Sequence, residues 1–120
     1  MPFTNLLMQL VSSVEGATGA LILEADGEAV QWYSPIGAER LRLRCAYLVN
    51  VLASCRNAAA RLNLGETGCL TISYDGASFV VQEVSPGYYL LLEMTPHANV
   101  APAVYRLKLA LPEARAAFDP

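Results

Sequence analysis

Residues 38–62, AERLRLRCAYLVNVLASCRNAAARL, contain no Gly and no Pro, and they predict one long helix. With Leu41 set at 0° and about 100° per residue, Leu41, Leu48, Leu52 and Ala59 fall within about 20° of one line. Val51 and Cys55 extend this face on one side, Cys45 and Val49 on the other. Beyond Val49 the apolar surface continues through Ala60, Ala53 and Ala46, so the arc spans roughly 220°, against about 100° for an ordinary surface helix. Such a helix must lie on a core along one stripe and still offers a second surface.

That second surface has its own spacing. Ala46, Ala53 and Ala60 recur every seven residues, and Asn50 and Asn57 lie on an adjacent line. Small residues let another helix approach closely, and Asn in a seam can fix register across it. The expectation is a two-fold contact with a second copy, through Ala46, Val49, Asn50, Ala53, Asn57 and Ala60. The alternative is that the alanines serve only helix propensity.

The segments on either side read as hairpins. Asp26-Gly27 predicts a two-residue type I′ turn between ALIL (20–23) and AVQWY (29–33), pairing Leu23 with Val30 and Leu21 with Trp32. Asp75-Gly76 predicts a second hairpin, with Leu70 opposite Val81 and Ile72 opposite Phe79. YYLLLEM (88–94) reads as a central strand. A first helix is expected over 4–14, with Thr4 as N-cap and Gly16 as its stop. Gly65 is the expected cap of the long helix. A last helix starts near Val100, and Pro112 inside it predicts a kink or a break. The order is α-β-β-α-β-β-β-α, an α+β chain read as one domain over 1–120.

Composition removes several function classes. A net charge of −3 disfavours nucleic-acid binding, which needs a surplus of Lys and Arg. No run approaches the roughly 18 apolar residues of a membrane span, so no membrane insertion is expected. The first residues, MPFTNLLMQLVSS, have no basic residue before the apolar run and make a poor signal peptide. Cys45 and Cys55, roughly 15 Å apart on one helix, cannot pair. With Cys69 they make an odd count, which fits free thiols and a cytoplasmic setting.

No catalytic, metal or cofactor constellation emerges. His97 is the only histidine and sits in a turn. The cysteines have no metal spacing, and no phosphate-binding glycine motif occurs. Glu83 and Glu93 fall out of register and form no acid/base pair. Arg40, Arg42 and Arg44 alternate around the start of the long helix and read as a solvated face. Their place at a helix N-terminus opposes the dipole, a hint that some are there for a contact.

LLMQLVSSVEGATGALILEADGEAV resembles the opening of Roadblock/dynein light chain domains, and YYLLLEM followed by HANVAPAVYRLKLAL resembles their last strand and last helix. The resemblance implies a three-layer profilin/longin-like fold, with a five-stranded antiparallel sheet between helices. It also implies homodimers that join sheet edges and set their long helices side by side. The edge would lie around Leu70, Thr71 and Ile72. Such dimers serve as platforms or regulators of small Ras-like GTPases, or as dynein subunits. The family carries no catalytic motif and no cofactor. Arg40, Arg44 and Tyr47 are the expected partner contacts, since an exposed aromatic beside Arg suits an interface anchor. The rival readings are a small-ligand sensor with a pocket lined by Tyr88, Tyr89, Trp32 and the cysteines, a purely structural scaffold, or an enzyme built around His97.

Overall fold

The structure, a computed structural model, describes residues 2–118; positions 1, 119 and 120 of the expected domain lie outside the described residues. The elements are α1 (Thr4–Ser13), β1 (Ala17–Glu24), β2 (Ala29–Tyr33), α2 (Ala38–Arg61), β3 (Cys69–Ser73), β4 (Ser78–Ser85), β5 (Tyr88–Met94) and α3 (Ala101–Phe118). The strands form one antiparallel sheet in the order β2-β1-β5-β4-β3. The run YYLLLEM is central, as expected, and β2 and β3 are the two edges.

Alternation along the strands builds two cores, one on each face of the sheet. Leu21, Leu23, Phe79, Val81, Tyr89 and Leu91 meet Leu41, Cys45, Leu48 and Leu52 of α2. Ile22, Val80, Leu90 and Leu92 meet α1 and α3 on the opposite face. Phe118, at the end of α3, sits between Phe3 and Tyr88, with ring centroids 4.9 and 4.7 Å away.

Register follows pattern where the turn allows it. Leu70 faces Val81, Ile72 faces Phe79, and Leu21 faces Trp32. Leu23, however, faces Ala29 and not Val30. The turn is longer than expected: Gly27 N–H donates to Glu24 O, and Glu24 N–H to Glu28 O. Gly27 alone has positive φ (96°), whereas type I′ would need it at Asp26 as well. This is a three-residue loop with Gly27 at its left-handed position, which pairs Leu23 with Ala29; a bulge at Val30, between the Leu23–Ala29 and Ile22–Gln31 pairs, then restores the expected pairing of Leu21 with Trp32.

Three terminus expectations change. The N-cap of α1 is Phe3, not Thr4, and its N–H donates to the Gln31 side chain at 2.9 Å. α2 closes at Leu62 with Asn63, not Gly65, as its first left-handed residue (φ 55°). Leu64 N–H then donates to Ala59 O, a Schellman closure in which Asn substitutes for Gly. α3 continues unbroken through Pro112. Pro112 and Lys108 both lie on the exposed side, so water can satisfy the carbonyl that loses its N–H partner.

Gly19 sets how closely α2 approaches the sheet. A Cβ built there would lie 2.8 Å from Leu41 Cδ2 and 3.3 Å from Ser34 Cβ. Gly19→Val should therefore lower unfolding stability by about 1–3 kcal/mol in a urea titration. An unchanged midpoint would mean that Leu41 repacks freely.

Candidate functional site

The start of α2 is held by charge. Gly37 precedes the helix at φ 146° and gives no side-chain cap. Instead Arg40 reaches down to Glu93 in β5, with Nη1 donating to Oε2 at 2.7 Å and Nη2 to Oε1 at 2.6 Å. Arg44 adds a bond to Oε2 at 3.2 Å, and Thr18 Oγ1 donates to Oε1 at 2.6 Å. Glu93 is 1% exposed. Burial alone would push its carboxyl up, but the hydrogen bonds from Arg40 and Thr18 and the charges of Arg40 and Arg44 outweigh this and hold it below its usual range. Burial, then the nearby Glu93 charge, pushes the Cys45 thiol up to about 12, so Cys45 is a core residue and no nucleophile.

The arginines thus do more than form a solvated face, although Arg42 and Arg44 are exposed. Arg40 and Arg44 converge on one carboxylate, and Arg42 stacks over Trp32 at 4.0 Å. A signal for this existed: a lone carboxylate inside an apolar central strand needs a cation, and Arg40 and Arg44 have the i, i+4 spacing that puts two on one flank.

α2 lies across the sheet with two different flanks. On one, Arg44, Tyr47 and Leu48 line a groove of about 290 Å³ with Tyr74, Ala77 and Phe79 of the β3–β4 hairpin. Tyr47 is 71% exposed. At 100° per residue Tyr47, Val51, Ala58 and Leu62 fall within about 60° on this side. Ala58 and Leu62 are exposed and Val51 is half-buried. On the other flank, Arg42, Leu43 and Ala46 line a groove of about 630 Å³ with Gly27, Val30 and Trp32.

The residues expected at a dimer seam are thereby divided. Ala46 faces the β2 groove, while Ala60 lines a separate groove with Thr67 and Pro86. Asn50, Ala53 and Asn57 are exposed, and Val49 is half-buried. Leu70, Thr71 and Ile72 lie on the edge strand β3, beyond the opposite flank of α2. The residues offered for a ligand pocket do not converge. Tyr88 packs on the α1/α3 face, Tyr89 lies on the α2 face with its hydroxyl accepting from Arg56 at 3.0 Å, and Trp32 stands at the β2 edge. His97 is exposed and holds φ 67° in the turn before α3.

The Glu93 cluster has a testable pH signature. A carboxylate held below its usual range stabilises the fold fully above about pH 4.3 and loses that contribution as pH falls through its lowered folded value. Glu93→Gln should cost about 1.5–3 kcal/mol at pH 7, the range for hydrogen bonds to a charged group, since the arginines it would leave are partly exposed. Urea titrations at pH 7 and pH 3 should show the difference from the wild-type chain shrinking in acid.

No sequence-family profile matches the chain, and no curated protein does. Solved structures do. MglC from Myxococcus xanthus is similar at 27% identity and a TM-score of 0.73, covering 97% of this chain and 98% of that one. A Roadblock/LC7 domain from Streptomyces avermitilis gives a TM-score of 0.84 at 19% identity, covering 96% of each chain. Myxococcus xanthus MglB gives 0.85 at 12% identity, covering 98% of this chain and 88% of that one. The latter two likenesses are of fold. The sheet order, the helices on both faces and these neighbours together show that the chain has the fold of Roadblock/LC7 domains.

Proposed function

We propose that the chain is a non-catalytic, cytoplasmic, homodimeric platform for a small Ras-like GTPase. One observation carries the self-association: β3 is an uncovered edge strand whose sequence CLTIS holds no charge, and the apolar flank of α2 around Tyr47 runs beside its hairpin. Natural sheets protect such edges with Lys, Pro or a cover, and β3 has none of the first two. Antiparallel pairing of two β3 strands about a two-fold axis would satisfy both edges. It would also bring the two Tyr47 flanks together and bury Leu70, Ile72 and Leu62 between copies.

In this arrangement the outward ridge of the paired helices, with Asn50, Ser54 and Asn57, is left for the partner. Arg44 and Tyr47 stand at its rim, and Arg40 serves mainly to hold Glu93. The GTPase assignment rests on what Roadblock-type dimers do. One of the similar structures is a gliding protein of Thermus thermophilus, MglB, and another is described as MglB in a tetrameric arrangement. Among the described residues no helix is long and apolar enough to cross a membrane.

Light scattering across a dilution series tests the seam. Tyr47→Glu should halve the solution mass, because two buried charges would face each other across the two-fold axis. Ala53→Glu, on the far flank, should leave the mass unchanged. The opposite result would restore the alanine seam.

Capture from source-cell lysate tests the partner. The wild-type chain should retain a small GTPase in a manner that depends on added GTP or GDP. Asn57→Arg should keep the dimer and reduce retention about tenfold. Equal retention would remove the outward ridge from the contact.

A further inference from the structure

The second groove, between α2 and β2, is at the opposite edge of the sheet from β3. We propose that it receives an extended, basic segment of another protein, which adds as a strand to β2.

Three observations support this occupant. First, β2 pairs with no strand on its outer side, and AVQWY contains no charge and no Pro; its one irregularity is the bulge at Val30, which leaves Gln31 to Tyr33 in regular pairing. Its inner face is anchored: Gln31 is buried and its side chain holds the Phe3 N–H. The edge is therefore preformed, and a strand added to it gains backbone hydrogen bonds without reorganising β2.

Second, the groove beside this edge is apolar where alternate side chains of an added strand would point. Val30 and Trp32 lie on the α2 side, and Leu43 stands over them at 63% exposure. Arg42, stacked on Trp32, closes one wall and fixes the ring. The occupant needs small or β-branched apolar residues at every second position.

Third, the charge at the end of the groove has one sign. Glu24, Asp26 and Glu28 of the β1–β2 turn place carboxylate oxygens within 4.8 Å of one another. Among the described residues only one of these oxygens, Asp26 Oδ1, accepts a protein hydrogen bond, from Glu28 N–H at 3.0 Å. A Lys or Arg at that end of an added strand would meet the cluster through Glu28, which lines the groove together with Glu39. A second copy of this chain suits the site badly: it brings the same acidic turn and a net charge of −3. Like charges meeting there would oppose the pairing.

Trp32 is the only tryptophan, so its emission reports on the groove directly. The probes are two end-capped nonapeptides of alternating Val and Thr, one with Lys at both ends and one with Glu. The Lys peptide should shift the emission of the full chain to shorter wavelength and saturate, binding about tenfold more tightly than the Glu peptide at low salt. The double substitution Glu24→Gln, Glu28→Gln should erase that preference. Leu43→Glu, at an exposed position, should abolish the peptide-induced shift while circular dichroism stays unchanged. No shift with either peptide, equal binding of both, or full binding by Leu43→Glu would each overturn the proposal. None of these outcomes depends on the state of β3, so the dimer reading stands or falls separately.

Discussion

The buried carboxylate of Glu93 decides how α2 lies on the sheet. β5 is the central strand, and a charge at 1% exposure there is tolerable only if it is fully paired. Arg40 pairs with it bidentately, a geometry that fixes orientation as well as distance. Arg44, one turn on, adds a second cation. Since α2 has no side-chain N-cap, this ion cluster takes over the task of fixing its first turns. Once Arg40 and Arg44 point to Glu93, Leu41, Cys45 and Leu48 must face the sheet. Tyr47 then turns toward β3–β4, and Ala46 toward β2. The identity of each flank therefore depends on one ion cluster.

The same dependence explains what the fold leaves open. Helices cover both faces of the sheet, and α1 and α2 reach β2, but no strand pairs with the outer side of either edge strand. Both edges are five residues long and uncharged, AVQWY and CLTIS. A bulge at Val30 interrupts the pairing of β2 with β1 near the start of the strand. Two open edges with different neighbours are suited to two different partners. β3 lies beside an aromatic, weakly charged flank that a second copy can match. β2 lies beside an acidic turn that a second copy cannot.

Much of this was legible in residue order. The hairpin register of β3 and β4, the central place of β5, and the face of α2 that meets the sheet all follow from alternation and helical period. Each of those segments is long and consistent. The misses share a cause. Asp26-Gly27 names a turn but not its length, because Asp and Gly serve a three-residue bulged loop as well as a type I′ turn. Asn63 closes α2 where Gly65 was expected, because Asn also tolerates left-handed backbone. The Glu93 cluster was missed because its members stand 75 and 53 residues apart in the chain, and pattern within one element cannot see across elements.

The wide apolar arc of α2 is then two features that sequence periodicity merges. One part, through Val51 toward Tyr47, is a flank beside the β3–β4 hairpin. The other, through Val49 and Ala46, meets the β1–β2 turn. A Cβ on Gly27 would lie 3.6 Å from the Ala46 carbonyl oxygen and 3.9 Å from Val49 Cγ2. At that end, small residues on turn and helix allow the chain to pass close to the α2 backbone. A spacing of seven makes Ala46, Ala53 and Ala60 look like one seam, yet Ala46 and Ala60 line different grooves. A repeat along a helix shows only which residues share a side; what that side touches is set by how the helix crosses the sheet, and here Glu93 sets the crossing.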